Sequence, residues 1–154
     1  MRQILVVANQ TLGGERLKEV VRERIGQGPC TFTLVVPVVP DAADAIADFG
    51  VAAEMGPGGP STTYESARIQ AVRRLAAGIQ ALSELGASVD GDIGAQDPVK
   101  AVGHSLAAGT YEEIIVSTLP KTVSRWLHQD IPHRIQRKFK IPVTTVTARE
   151  GFTT

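Results

Sequence analysis

Short solid blocks of apolar residues alternate along the chain with longer stretches whose apolar residues recur every three or four positions. Ile4 to Ala8 is the first block, bounded by Asn9-Gln10-Thr11, and it predicts a strand buried on both faces. Glu15 to Ile25 places Leu17, Val20, Val21 and Ile25 on one face of an amphipathic helix that Gly26 and Gly28-Pro29 end. Phe32 to Val39 predicts the second strand, with Pro37 stopping its ladder near the C-terminal end. Asp41 to Gly50 is rich in Ala and Asp and suits a short helix. Met55-Gly56-Pro57-Gly58-Gly59-Pro60 reads as a mobile loop.

Thr62 and Glu65 have the spacing of a capping box ahead of the longest helix, which runs to about Leu85. Its expected core face is Ile69, Val72, Ala76, Ile79 and Leu82, and Gly86 stops it. Ser88 to Ile93 is a polar third strand suited to a sheet edge. Asp97-Pro98 is a cap followed by a first-turn proline, with Val99, Val102 and Leu106 behind it and Gly109 closing the helix. Ile114-Ile115-Val116 predicts a buried fourth strand. Asp130 to Phe139 spaces Ile131, Ile135 and Phe139 as a helix face, and Val143 to Thr147 is the last strand. Strict alternation of strand and helix demands a parallel sheet with helices on both faces, a three-layer α/β/α, Rossmann-like fold. The expected domain is 1–148, with a tail at 149–154.

Composition narrows the class. The 154 residues suit one domain, and 43% hydrophobic residues build one core, filled by aliphatic side chains because aromatics make up 5%. Sixteen Lys/Arg balance sixteen Asp/Glu, so bulk charge does not indicate nucleic acid. The charge is unevenly placed. Ser117 to Lys140 holds six cations and one acid, while Asp41 to Glu65 holds five acids and no Lys or Arg. The basic stretch fits either an anionic ligand or a solvated helix face. Cys30 is the sole cysteine, which excludes an intrachain disulfide and fits a reducing, cytoplasmic setting. No apolar run reaches transmembrane length, and Met1 to Ala8 is too short for a signal-peptide core.

Three places carry candidate chemistry. Asn9 ends the first strand, where its amide either reads an adenine or ribose edge or closes a turn on its own backbone. Gly94 opens a strand-to-helix turn and either admits a ligand or serves the turn. The stretch from Ser117 to Asp130 follows the fourth strand. Thr118, Thr122 and Ser124 offer hydroxyls, Lys121 and Arg125 offer charge, and Asp130 is an expected helix cap. A capping carboxylate opposes phosphate at the same helix end: two unit charges about 4 Å apart interact at roughly 4 kcal/mol for an effective dielectric of about 20. Trp126 either anchors the loop or stacks on a base. His104, His128 and His133 do not have the spacing of a metal set. No nucleophile elbow, Walker loop or Gly-x-Gly-x-x-Gly occurs, so no catalytic set is expected.

Ile4 to Thr11, Phe32 to Val39, Gly94 to Pro98, Ile114 to Ile135 and Ile141 to Val146 together resemble the universal stress protein family over nearly the whole chain. The resemblance implies a sheet of order 3-2-1-4-5, an adenine contact through backbone groups at Val38, and frequent homodimers through the last strand. Asn9 stands where that family usually has Asp. The ATP-binding members carry Gly, two residues, Gly, nine residues, then Gly-Ser or Gly-Thr. Here Ser117 and Pro120 match the first two glycines, and Gln129-Asp130 match the final pair after eight residues. The resemblance therefore implies a diverged, non-catalytic module with a degenerate nucleotide site at Asn9, Val38, Gly94, Thr118, Lys121, Ser124, Arg125, Gln129 and Asp130. It implies no required cofactor, with ATP doubtful. The alternative is a switch that binds another nucleotide or small anion through the loop after strand four.

Overall fold

Ile4, Leu5, Val6, Val7 and Ala8 are completely buried, and burial of each Ile, Leu or Val side chain contributes roughly 2 kcal/mol. They form the interior of strand β1 (Arg2–Ala8), which has a parallel neighbour on each side: β2 (Cys30–Pro37) and β4 (Glu113–Thr118). Strand β3 (Ser88–Gly94) pairs with β2, and β5 (Val143–Thr147) with β4, giving a five-stranded parallel sheet of order β3-β2-β1-β4-β5. The structure, a computed structural model, describes residues 2–8, 14–38, 59–95, 97–118 and 125–147.

The period-two geometry of a strand divides the core in two. Ile4, Val6 and Ala8 join Phe32, Leu34, Val36 and Ile115 beneath helices α1 (Glu15–Gln27) and α2 (Gly59–Ser83). Leu5 and Val7 join Val35, Ile114 and Val116 on the other face. There they meet α3 (Pro98–Ala108) and α5 (Ile131–Phe139), the latter preceded by the single turn α4 (Arg125–His128). The expected fold and strand order are thus present, and the polar strand β3 sits at an edge as its sequence indicates.

Helix α2 departs from expectation twice. It begins at Gly59, so Gly59 and Pro60 belong to its first turn, and the Thr62–Glu65 pair lies inside the helix. Proline is tolerated there because first-turn N–H groups have no intrahelical partner. Its core face is also rotated. Ile69 is 52% exposed and Val72 45%, and Ala76 is exposed, whereas Ala67, Ala71, Leu75, Ile79 and Leu82 pack on the sheet. The sheet selects that face. A Cβ on Gly91 would lie 2.8 Å from Leu75 Cδ1 and 2.5 Å from the Leu34 carbonyl oxygen, so the bare glycine makes the hollow that receives Leu75. The short helix expected over Asp41 to Gly50 lies outside the described residues.

One polar cluster is built into the sheet floor, at the N-terminal ends of the strands. Glu113 opens β4 and is 5% exposed. Arg24 of α1 donates to both of its carboxylate oxygens, Nε to Oε1 at 2.9 Å and Nη2 to Oε2 at 2.7 Å. The Thr144 hydroxyl of β5 donates to Oε2 at 2.6 Å, and Arg2 of β1 approaches Oε1 at 3.4 Å. Burial pushes the Glu113 carboxyl upward. The hydrogen bonds from Arg24 and Thr144, with the charges of Arg24 and Arg2, outweigh it and leave the pKa below its ordinary 4.5.

A carboxyl held below its unfolded value stabilises the fold above the ordinary carboxylate range and loses that contribution as pH falls through its folded pKa. Glu113→Gln should therefore flatten the acid limb of the stability curve, read by urea unfolding across pH. Glu113→Ala should cost about 3 kcal/mol near neutrality, because it strands Arg24 beside the core.

Candidate functional site

In a parallel sheet of this kind, ligands sit beyond the C-terminal ends of the strands, where the order reverses between β1 and β4. Ala8 and Thr118 end those two strands here. Of the expected site residues, Val38, Gly94, Thr118, Gln129 and Asp130 are placed by the structure. Asn9, Lys121 and Ser124 lie outside the described residues, as does the side chain of Arg125, whose backbone opens α4.

Val38 and Gly94 come together. The Val38 N–H donates to the Gly94 carbonyl at 3.1 Å, and Val38 is 3% exposed. That N–H is already committed to the turn. Gly94 has a packing role besides: an added Cβ would stand 2.9 Å from Val35 Cγ1 and 3.0 Å from Ala101 Cβ. Glycine lets α3 press against the sheet at its C-terminal edge. Asp97 caps that helix as expected, accepting from the Val99 N–H at 2.9 Å.

Thr118 is 2% exposed. Its hydroxyl donates across the ladder to Thr147 Oγ1 at 3.4 Å, so it ties β4 to β5. Trp126 packs with the α3–α5 side of the core, in agreement with the anchoring alternative.

Asp130 differs most from its expected role. It occupies the cap position of α5, and its carbonyl accepts the Arg134 N–H at 3.0 Å. Its carboxylate caps no N–H. The backbone is left-handed (φ 58°, ψ 36°), whereas side-chain capping requires an extended residue. The exposed carboxylate instead lies 3.7 Å from His133 Nδ1. Left-handed backbone is the conformation glycine adopts without cost. Counting nine residues rather than eight after Pro120 brings Asp130 onto the glycine position of the ATP-binding pattern, and the buried Ile131 onto the hydroxyl position. Pro132 then removes an N–H from the first turn of α5. This helix end carries a carboxylate, one donor fewer and no hydroxyl at the matching position.

A second feature lies beside α5. Between α5 and the outer edge of β5 runs an open groove of about 270 Å³, bounded by Leu127, Asp130, Pro132, His133 and Gln136 on one side and Val143 and Thr145 on the other. Among the described residues no three His, Cys, Asp or Glu side chains converge as a metal site, and no helix is long and apolar enough to cross a membrane.

No protein-family model matches the chain, and no curated protein matches it by sequence. Its architecture does have solved counterparts. The universal stress protein of Archaeoglobus fulgidus is 15% identical, with a TM-score of 0.61 over 95% of this chain and 93% of that one. A universal stress protein family member from Arabidopsis thaliana with AMP bound is 12% identical, with a TM-score of 0.63 over 98% of this chain and 94% of that one. The universal stress protein from Archaeoglobus fulgidus in complex with dAMP is 13% identical, with a TM-score of 0.59 over 95% and 97%. The chain has the fold of the universal stress proteins.

The strain at Asp130 has a measurable sign. Asp130→Gly should raise stability by up to about 1 kcal/mol, roughly 2–4 °C in Tm for a domain of this size. Asp130→Ala should lower it, because alanine gains nothing in left-handed backbone. Thermal melts of the two variants check both signs.

Proposed function

We propose that this chain is a non-enzymatic, regulatory universal-stress-protein-like module whose nucleotide site is degenerate and does not hold ATP tightly. The observation that carries this reading is Asp130. An exposed carboxylate stands at the left-handed position that opens α5, where a bound triphosphate needs positive potential and free N–H donors. The committed Val38 N–H supports it, since one backbone donor at the adenine end is already used. The half-buried lone thiol Cys30 suits a reducing, cytoplasmic setting.

A second reading keeps a smaller nucleotide as a regulatory ligand. Its support is that the Arabidopsis and Archaeoglobus neighbours are described with AMP and dAMP. A monophosphate brings less charge toward Asp130 than a triphosphate does. Calorimetry of the full chain should give no micromolar binding of ATP, and Asp130→Gly should tighten any weak ATP binding by at least about tenfold. Micromolar ATP binding by the wild type overturns the main reading. Saturable AMP binding without ATP binding selects the second.

The free β5 edge is the proposed contact for a homodimer. Antiparallel pairing of two β5 strands continues the sheet and sets both α5 helices on the same face beside the junction. Each α5 exposes Arg134, Arg137 and Lys138, with Lys140 following, so like charges oppose the pair. Light scattering should show a dimer that strengthens with added salt and disappears in Thr145→Lys.

A further inference from the structure

Helix α2 is apolar on two faces and has one sheet to pack against. Ala67, Ala71, Leu75 and Leu82 take the sheet side, over β2 and β3. The other side leaves Ile69 and Val72 exposed, the exposed large apolar residues among those described. Ala76 and Ala77, one turn further on, are exposed too. Charges bracket this patch. Glu65 lies four residues before Ile69 and Arg73 four after, so the three share one face of the helix. Glu65 and Arg73 are exposed, and among the described residues neither forms an ion pair. Arg68, about 100° round the helix from Ile69, falls at the rim.

We propose that a second copy of this chain covers the patch, with the two α2 helices antiparallel about a twofold axis at Ile69. Such an axis exchanges positions equally far on either side of that residue. Ile69 packs on the partner's Ile69, and Val72 beside the partner's Ser66. Glu65 of each chain meets the partner's Arg73, so two ion pairs close the ends of the apolar contact.

The order of charges selects this occupant and its direction. Parallel pairing in register sets Glu65 against Glu65 and Arg73 against Arg73. The antiparallel twofold neutralises both residues with groups the chain itself supplies. A membrane surface calls for cations alone around the apolar face, and Glu65 is an acid at that border. Helix α2 covers β2 and β3, at the end of the sheet away from β5, so this contact is separable from the β5 edge and independent of the nucleotide reading.

The test is sedimentation equilibrium of the full chain carrying Thr145→Lys, which removes the β5 contact. A patch this small should dimerise at roughly 100 µM and be monomeric well below it. Added salt should weaken this dimer, the opposite of the β5 contact. Glu65→Arg and Arg73→Glu should each weaken it at least about tenfold, by opposing like charges at both ends. An equimolar mixture of the two variants should regain it, because the mixed dimer restores both ion pairs. Ile69→Lys should abolish the dimer and leave the melting curve unchanged, since Glu65 is a favourable i, i+4 partner for a lysine. The proposal is overturned if the single charge variants associate like the parent, or if their mixture stays monomeric. It is overturned too if the parent is monomeric at millimolar concentration, which leaves the face to a different protein. A fall in melting temperature in Ile69→Lys also overturns it, because the face is then covered within its own chain.

Discussion

The burial of β1 on both faces is the constraint from which the architecture follows. A strand with no polar face has to be covered twice, and covering it twice requires helices above and below the sheet. Neighbours on both sides satisfy its backbone groups, which places it at the centre. Ile4, Val6 and Ala8 then define one core layer, and Leu5 and Val7 the other. The polar strands can only be edges. The site beyond the β1 and β4 ends is a consequence of this arrangement.

The two ends of the sheet do different work. At the floor, Glu113, Arg24, Thr144 and Arg2 join three strands and a helix through one buried carboxylate whose oxygens are both engaged. Such a cluster helps secure the β5 edge, beside its ladder with β4 and the burial of Val146 in the core. At the opposite end, among the described residues, the Val38 N–H is spent on Gly94 and the Thr118 hydroxyl on Thr147. The Asp130 carboxylate is exposed there.

Much of the fold was legible because period two and period 3.6 are strong signals where one face is buried. The Ile4–Ala8 block, the Asp97-Pro98 cap and the Val143–Thr147 strand are all where the pattern places them. Helix α2 was misread because it is apolar on two faces, and the choice between them depends on the hollow at Gly91, which belongs to a different element. The role of Glu113 was missed for a similar reason. An acid ahead of an apolar run looks like an ordinary strand flank until Arg24 and Thr144, far away along the chain, arrive beside it. Among the candidate site residues, Val38 and Gly94 come together, and their joint hydrogen bond needed the β2–β3 register to appear.

The sequence by itself determined the alternation of strands and helices, the parallel sheet, the polar edge and the absence of glycine between β4 and α5. Those features are local, written in periodicity and in residue types with strong backbone preferences. Tertiary structure alone decided which face of α2 turns inward, where the buried carboxylate finds its partners, and that Asp130 takes left-handed backbone. Each of those outcomes depends on contacts between segments distant in the chain, and a pattern read along the chain holds no distances across it.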